Sequence, residues 1–425
     1  MRTIIAKADI NNDDIFSQAG EILRKGGLVA FPTETVYGLG GNALDPAASA
    51  KIYAAKGRPS DNPLIVHIAD MSQLQEAARE VPPQARLLAE AFWPGPLTMI
   101  LWINAQVPTE TTGGLDTVAV RMPSHPIAQE LIRRSGCMIA APSANASGRP
   151  SPTEAAHVME DLQGRIPMIV DGGTVGIGIE STIIDLTEDV PMILRPGYIT
   201  KEELSEVLGE NVVYDPAILS DIQFQTQDKK NSQDSQETPE IGQTKSEEPF
   251  EETKQENAQP LRPKAPGMRY RHYAPKAQMI LISGESDAVV EEINRRICEE
   301  KNHFDQMHAE NRAEQADTEN RAGHADTENG AEHADADHCA GDCHKRIAVV
   351  ASEETSTDYP DAGVVFTIGS RSDEDAIARH LYGILRDCDE AGVDLIYSEA
   401  FATPRIGQAI MNRMLKAAGH QVVYV

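Results

Sequence analysis

The chain has 425 residues, a formal net charge of −28 at neutral pH and five cysteines spread along its length. This length exceeds one ordinary hydrophobic core and predicts two domains, which excludes a small disulfide-stapled scaffold. The odd cysteine count favours reduced thiols, and no apolar run approaches the roughly 20 residues that span a bilayer, so we expect a cytoplasmic protein without a membrane partner.

Half of the charge is concentrated in two polar stretches. Residues 221–260 contain 10 acidic and 4 basic side chains, and residues 301–344 contain 11 acidic and 3 basic side chains. The rest of the chain is moderately acidic and lacks the basic surface of a protein that binds nucleic acids through their phosphates. We therefore expect weak or no direct binding to RNA.

The first 212 residues alternate short apolar runs with helical patterns. Strands are predicted at LVAFPT, PLIVHIA, LTMILWI, TVAVRMP, MIAAPSA, MIVDGG, STIIDL and MILRPG. Helices are predicted at residues 14–25, 46–56, 82–92, 126–134 and 201–208. Strands that alternate with helices indicate an α/β domain, and the number of strands favours a mixed sheet.

Residues 213–275 lose their apolar periodicity and predict an acidic flexible linker, which ends in the aromatic and basic segment PGMRYRHYAP. Residues 276–425 resume the alternation and predict a smaller, Rossmann-like α/β domain. A nine-residue repeat, ENRAEQADT, ENRAGHADT and ENGAEHADA, has almost no apolar side chains, so we predict a disordered insertion at 302–345. The sequence HCAGDCH at 338–344 lacks a partner pair of cysteines and is not predicted to bind metal.

Four polar clusters directly follow predicted strands of the first domain, which is where α/β domains build binding sites. They are FPTETVYGLG, KGRPSDNPLIVHI, APSANASGRPSPT, and DGGTVGIGIESTIIDL together with ILRPG. Each cluster alone is also explained as an ordinary turn or a solvated basic loop. The separated basic residues favour an anionic ligand when they are taken together: Lys56, Arg58, Arg121 and Arg195. The sequence contains no phosphate-loop, dinucleotide-binding, GxSxG or HExxH motif.

In order and spacing, PTETVYGL, KGRPSDNPL, PSANASG, ESTIID and LRPG resemble the YrdC family. PGMRYRHYAP, followed by an α/β domain that ends in GQAIMNRMLKAAG, resembles the long, two-domain form of that family. The resemblance implies a YrdC-like catalytic domain at 1–212, with a twisted mixed sheet and flanking helices. It also implies L-threonylcarbamoyladenylate synthase activity, in which L-threonine, bicarbonate and ATP give threonylcarbamoyl-AMP and pyrophosphate. In the family, a tRNA-modifying transferase complex uses this product to modify the adenosine at position 37 of tRNAs that read codons beginning with A.

The resemblance also implies roles for individual residues. Lys56 and Arg58 are the implied catalytic residues, which act on the phosphates of ATP while Mg²⁺ shares the charge. The implied ATP-binding residues are Arg58, Asn62, Thr117, Ser143, Asn145, Ser151, Arg195 and Tyr270. The implied L-threonine-binding residues are Thr35, His67, Arg121 and Thr182. Residues 269–273 are expected to fold over the nucleotide as a lid, and no metal site made by the protein alone is expected.

Two other functions are compatible with these residues. The first domain is alternatively an RNA-binding module, although the acidic balance argues against tight binding. A similar domain occurs in hydrogenase-maturation carbamoyltransferases, whose acylphosphatase and zinc-finger segments are not found in this sequence. For the second domain, we favour a role in stabilising the fold and anchoring the lid, with the docking of a transferase partner as the alternative.

Overall fold

One large mixed sheet forms the centre of the first domain. The computed structural model describes residues 1–9, 13–218, 264–266, 272–322 and 345–425, with the backbone alone for most of 304–322. In the described first domain, the strands are β1 Ile4–Lys7, β2 Val29–Pro32, β3 Tyr37–Asn42, β4 Ile65–His67, β5 Leu97–Trp102, β6 Thr117–Arg121, β7 Ile139–Ala141, β8 Met168–Asp171, β9 Thr182–Asp185, β10 Met192–Arg195 and β11 Val213–Tyr214.

The strands lie in the order β1-β8-β2-β3-β7-β4-β6-β5-β9-β10-β11. Five neighbouring pairs are parallel and five are antiparallel, which confirms the predicted mixed sheet. Helices flank the sheet at α1 Asp13–Arg24, α2 Pro46–Lys56, α3 Met71–Ala77, α4 Pro83–Phe92, α5 Thr109–Thr112, α6 Pro126–Ser135, α7 Ala155–Leu162 and α8 Lys201–Leu208. The five predicted helices correspond to α1, α2, α4, α6 and α8, each within one residue at either end.

The ends of α2 show how the sequence sets a helix that carries site residues. The side chain of Asp45 accepts a hydrogen bond from the backbone nitrogen of Ala47, and Pro46 occupies the first helical turn, where its missing N–H costs nothing. The helix ends at Gly57, whose φ of 63° is the left-handed conformation that glycine adopts without strain. Lys56 and Arg58 therefore lie on either side of a fixed helix terminus.

The predicted loop FPTETVYGLG is partly a strand, β3. Within this strand, Gly40 is required by packing within the sheet. A Cβ atom at Gly40 would lie 2.7 Å from Cγ2 of Ile139 and 2.8 Å from Cε1 of Phe31. Only Gly38 of the glycines in this strand lines the cavity described below.

The second domain contains a parallel sheet with the order β14-β13-β15-β12-β16. In the described residues its strands are β12 Gln278–Ser283, β13 Ile347–Ala351, β14 Val364–Thr367, β15 Leu395–Glu399 and β16 Val422–Tyr424, and its helices are α9 Ser286–Ala322, α10 Glu374–Glu390 and α11 Gly407–Ala417. The predicted open α/β pattern is present, but the strand order differs from the 3-2-1-4-5-6 order of a Rossmann fold. The first strand of this domain, β12, lies between the fourth, β15, and the fifth, β16.

The two faces of this second sheet have different neighbours. Apolar residues of α9 pack with Ile282, Val349 and Leu395 on one face. On the other face, residues of α10 and α11 share a core with Ile179 of the first domain and with Tyr273 of the connecting segment. The second domain is thus packed against the first through α10 and α11.

Two predicted boundaries differ from the structure. Strand β11 pairs with β10, so the first domain extends beyond residue 212. Helix α9 continues to Ala322, so residues 302–322 of the predicted insertion are helical, which reflects the high helix propensity of a segment rich in Ala, Glu and Arg. The remainder of that insertion, with HCAGDCH, lies outside the described residues. None of the described helices is both long and apolar enough to cross a membrane.

Candidate active site

A cavity of about 710 Å³, including its open mouth, lies beside the ends of several strands of the first domain. Strands β2, β4, β6, β7 and β10 each contribute residues from their last positions or from the loop that follows them. The predicted site residues that line it are Thr35, Lys56, Arg58, His67, Arg121, Ser143, Asn145 and Arg195. Residues that are distant in sequence therefore converge on one enclosed space, as expected of a ligand site.

Four predicted site residues do not line the cavity, and Tyr270 lies outside the described residues. The hydroxyl of Thr182 donates to the carbonyl of Ile199 at 2.6 Å, so it ties β9 to the segment after β10. Thr117 begins β6 at the end opposite Arg121. The remaining two, Asn62 and Ser151, lie behind residues that do line the cavity.

Asn62 and Ser151 each contact one cavity residue. The carbonyl of Asn62 accepts a hydrogen bond from Nη2 of Arg58 at 3.3 Å, and the carbonyl of Pro63 accepts from the same atom at 3.1 Å. Ser151 donates its hydroxyl to Oε1 of Glu180 at 2.6 Å. Both residues act in this structure as supports for side chains that face the cavity.

Lys56 is buried at the end of α2 and holds the loop that follows β7. Its Nζ atom lies 2.5 Å from the carbonyl oxygens of Ser143 and Asn145, and 3.3 Å from Oδ1 of Asn145. Burial, with a further contribution from nearby Arg58, lowers the pKa of Lys56 well below its usual value. A bound anion would reverse this effect by stabilising the ammonium form.

Arg195 ends β10 and is oriented by Ser181. Its Nε donates to the carbonyl of Ser181 at 3.0 Å, and its Nη2 donates to the hydroxyl of the same residue at 3.1 Å. That hydroxyl is in turn 2.8 Å from Oγ1 of Thr98 on β5. The guanidinium therefore has a fixed direction in the cavity wall.

A second group of polar residues surrounds Arg121, which is buried at the end of β6. Its guanidinium donates to Oε1 of Glu34 at 2.6 Å, to Oγ1 of Thr35 at 2.9 Å and to the carbonyl of Gly95 at 3.3 Å. These contacts use three of the five N–H donors of an arginine. The other two are available to a ligand that enters the cavity.

His67 is the register partner of Arg121 in the parallel pair β4 and β6. Burial, together with the positive charge of Arg121, lowers the pKa of His67 to about 3, so its imidazole is neutral at physiological pH. Its Nδ1 atom lies 3.1 Å from the carbonyl of Ile65, which fixes the ring. The group around Arg121 thus combines one fixed cation with a neutral imidazole and a hydroxyl.

The described part of the connecting segment also lines the cavity through Pro266, His272 and Tyr273. The ring of Tyr273 packs against Tyr382 of α10, with ring centroids 5.2 Å apart. The backbone nitrogen of Ala274 donates to the carbonyl of Gly148 at 2.9 Å. This segment is therefore held between the first domain and α10, and the other residues of the predicted lid, 269–271, lie outside the described part.

Glu180 is the acidic residue among the described lining residues, and the sequence reasoning did not identify it. Its Oε1 accepts from Ser151, and its Oε2 accepts from the hydroxyl of Tyr382 at 2.8 Å and from Nε of Arg413 at 3.2 Å. Burial alone would raise the pKa of this carboxyl, but Arg413 and Arg195 outweigh it and the pKa is lowered. The motif ESTIID contains Glu180, and the segment GQAIMNRMLKAAG contains Arg413, but the partners of Glu180 in α10 and α11 are more than 200 residues away, so no local pattern predicts the contact.

Comparison with known proteins gives consistent matches along the chain. Residues 21–197 match the Sua5/YciO/YrdC family model, described as telomere recombination, and residues 199–419 match a model described as threonylcarbamoyl-AMP synthase, C-terminal domain. The threonylcarbamoyl-AMP synthases of Pyrococcus abyssi and Bacillus subtilis are 42% and 40% identical over 96% and 97% of this chain, and the matches cover 95% of each relative.

A crystal structure of Pyrococcus abyssi Sua5 complexed with L-threonine is similar over 100% of this chain and 99% of its own, with 39% identity and a TM-score of 0.74. The threonylcarbamoyl-AMP synthase of Schizosaccharomyces pombe is 35% identical over 92% of this chain and 84% of its own length. Both domains are included in these matches. The chain belongs to the Sua5/YrdC family, in its two-domain form.

Proposed function

We propose that this chain is an L-threonylcarbamoyladenylate synthase that converts L-threonine, bicarbonate and ATP to threonylcarbamoyl-AMP and pyrophosphate. Relatives that match nearly the full chain carry this name. The observation that carries the proposal is that one cavity contains a cationic group, Lys56, Arg58 and Arg195, and a separate polar group around Arg121. The reaction requires these two kinds of binding, for a polyphosphate and for an amino-acid carboxylate.

For ATP, we propose that Lys56, Arg58 and Arg195 contact the phosphates and that Ser143 and Asn145 line the nucleotide. Guanidinium groups pair with phosphate oxygens through two hydrogen bonds, and a lysine supplies a point charge. Asn62 then acts through Arg58, and Ser151 acts through Glu180, so neither residue contacts ATP directly. Thr117 has no cavity contact, and Tyr270 is retained as a proposed ATP contact within the lid.

For L-threonine, we propose that Arg121 binds the carboxylate. The proposal is supported by its two uncommitted N–H donors and by the orientation that Glu34 imposes. Thr35 and the neutral imidazole of His67 lie beside it in the cavity wall and offer hydrogen bonds to the amine or to the carbamate formed from it. Thr182 is bonded to the carbonyl of Ile199 and does not line the cavity.

The reaction needs alignment and charge stabilisation more than a protein nucleophile. An oxygen of the threonine carbamate forms a bond to the α-phosphorus of ATP, and the bond from that phosphorus to the bridging oxygen of pyrophosphate breaks. Fixed cations beside the phosphates stabilise the charge that develops on the leaving group. The segment at His272 and Tyr273, which covers part of the cavity, would keep water from the product.

The cavity residues do not form a magnesium site of their own. No cluster of three or more potential metal ligands occurs in the part of the chain that the structure describes. Glu180 is the only acidic residue among the described lining residues, and both of its oxygens accept hydrogen bonds from protein groups. We therefore propose that Mg²⁺ enters as the magnesium complex of ATP, held mainly by the phosphates.

We further propose that the product passes to a tRNA-modifying transferase complex and that this chain binds tRNA weakly or not at all. The acidic composition supports weak tRNA binding, because the phosphates of tRNA are repelled by a negatively charged protein. We also propose a cytoplasmic location, which agrees with the free thiols of the described cysteines Cys137, Cys298 and Cys388. A gel shift with tRNA at physiological salt would test the RNA-binding alternative directly.

The decisive experiment measures pyrophosphate release from ATP. We expect release that requires both L-threonine and bicarbonate, that is not supported by serine, and that is lost in the double variant Lys56→Ala, Arg58→Ala. A matched control, Lys25→Ala with Arg133→Ala, removes two exposed basic side chains and should behave as the wild type. Release that is indifferent to threonine, or that depends on carbamoyl phosphate, would contradict the proposal.

A further inference from the structure

Glu180 is an unusual residue for a cavity that binds a polyphosphate. Four cations line this cavity, and Glu180 is the only carboxylate among its described lining residues. A carboxylate without a partner would repel the phosphates through a medium of reduced dielectric constant. Its presence in the wall therefore requires a compensating group that is not itself part of the phosphate site.

The compensating group comes from the second domain. Arg413, on α11, is 1% exposed and donates its Nε to Oε2 of Glu180 at 3.2 Å. Tyr382, on α10, donates its hydroxyl to the same oxygen at 2.8 Å. Neither Arg413 nor Tyr382 lines the cavity; both reach it through Glu180, and Tyr382 also packs against the lining residue Tyr273.

Arg413 also holds the loop that carries Arg195. Its Nη1 donates to the carbonyl of Pro196, the residue directly after Arg195. Glu180 directly precedes Ser181, which orients the guanidinium of Arg195 through two hydrogen bonds. One buried side chain of the second domain is therefore bonded to both segments that set the position of Arg195.

The group around Arg121 has different supports. Its partners are Glu34, Thr35 and Gly95, all of the first domain, and none of them is bonded to Arg413 or Tyr382. A disturbance at Arg413 should consequently reach the phosphate side of the cavity before it reaches the threonine side. This difference separates a positioning role from a general loss of structure.

We propose that Arg413 and Tyr382 are positioning residues for ATP, which neutralise Glu180 and hold Arg195 in the direction that phosphate binding requires. This inference rests on the proposed synthase function, and it assigns the second domain a part in building the phosphate site. It goes beyond anchoring the lid, because Arg413 is hydrogen-bonded to Glu180 and Pro196 of the first domain, whereas Tyr382 also packs against Tyr273 of the connecting segment. The substrate that it affects is ATP, and L-threonine binding is predicted to be nearly independent of it.

The test compares Arg413→Met, which removes the charge, with Arg413→Lys, which retains it. We expect Arg413→Met to weaken ATP binding by about tenfold or more and to raise the KM for ATP similarly, with the KM for L-threonine changed by less than about threefold. Arg413→Lys should recover much of the affinity. Adding Glu180→Gln to Arg413→Met should also restore ATP binding in part, because the uncompensated carboxylate is then gone.

Arg386→Met is the matched control for domain docking. Arg386 is likewise a buried arginine of the second domain that bonds the first, through Asp161 at 2.8 Å and the carbonyl of Pro150 at 2.6 Å, and its hydrogen bonds in the described structure do not include Glu180 or Pro196. If Arg413→Met merely loosens the domains, the two variants will lower thermal stability and ATP affinity alike, and Glu180→Gln will rescue nothing. That outcome would overturn the inference.

Calorimetric titration with ATP tests the positioning role independently of the synthase activity. Binding is measured without turnover, so a wild-type protein that binds ATP but releases no pyrophosphate with threonine would contradict the synthase proposal alone. Equal ATP affinity in wild type and Arg413→Met would contradict the positioning role alone. If Arg413→Met does not fold, Tyr382→Phe and Glu180→Gln, which retain most of the side-chain volume, provide the same comparison.

Discussion

Lys56 is bonded to Asn145 through both the backbone and the side chain of that residue: its Nζ lies 2.5 Å from the carbonyl oxygen and 3.3 Å from Oδ1. Together with the carbonyl of Ser143, these acceptors occupy the three donors of an ammonium group, so a phosphate that contacts Lys56 must displace one of them. The lysine thus fixes the loop after β7 and faces the cavity at the same time. Nucleotide binding and loop position are linked through one nitrogen atom.

ATP binding should be coupled to proton uptake by Lys56. Burial lowers the pKa of this lysine in the free protein, whereas bound phosphates favour the ammonium form and raise it. Between the two pKa values, binding takes up a proton, so affinity falls as the pH rises. Calorimetric titration across the neutral and alkaline pH range, at each pH in two buffers of different ionisation enthalpy, should detect this uptake within the window between the two pKa values. Lys56→Met should remove it, and equal uptake in that variant would assign the proton to another group.

The pair of Glu34 and Arg121 should determine the affinity for L-threonine. Both side chains are nearly buried, at 12% and 4% exposure, so the removal of one charge is not compensated by water. We expect Glu34→Gln to raise the KM for L-threonine by about tenfold, with little change in the KM for ATP. Glu21→Gln, which breaks an exposed pair with Lys25, is the control and should have no effect. Equal changes in both KM values would contradict the assignment.

Acid should destabilise the protein through His67. Its folded pKa is about 3, whereas a histidine in the unfolded chain titrates near 6.5. The unfolded state therefore binds the proton first, and stability falls as the pH decreases from about 6.5 towards 3. Between pH 6.5 and 4.5, His67→Gln should lose about 2 kcal/mol less stability than the wild type in urea unfolding. His303→Gln, on the exposed part of α9, is the control and should lose as much stability as the wild type over this pH range.

Gly178 should be required for close packing of the two domains. Its φ is +87°, and a Cβ atom there would lie 2.4 Å from Cα of Arg379 and 2.5 Å from the carbonyl oxygen of Ala378, both in α10. Gly173 has a similar φ of +79° but nothing within 4 Å of the added atom. We expect Gly173→Ala to cost about 1 kcal/mol of stability from backbone strain alone. Gly178→Ala should cost more and should make the connecting segment more sensitive to protease; equal behaviour would contradict a packing role.

The sequence was sufficient for much of the fold and for most of the cavity. Apolar periodicity predicted α2 and the strands that end at His67, Arg121 and Arg195, because this signal is local. The resemblance then implied roles for eight residues that the structure brings into one cavity, six of them within the ordered motifs. Local signals could not reveal the strand order of the second domain or the packing role of Gly40, since both depend on neighbours distant in sequence.

The role of Glu180 likewise could not be predicted from local sequence signals. The carboxylate lies in a quoted motif, but its meaning depends on Tyr382 and Arg413, which are contributed by another domain. Similarly, Thr182 and Ser151 belong to the quoted polar clusters without lining the cavity, because each is bonded to a neighbouring residue. A motif identifies the residues that a site needs, and only their contacts distinguish those that bind from those that support.

The bond between Arg413 and Glu180 belongs to the domain interface and to the cavity wall at once. By thermodynamic reciprocity, if docking of the second domain strengthens ATP binding by some factor, ATP must strengthen docking by the same factor. Bound ATP then stabilises the contact between the two domains. If the protein is cut within the connecting segment, ATP should therefore favour association of the two fragments. The fragments should dissociate again when the ATP has been consumed.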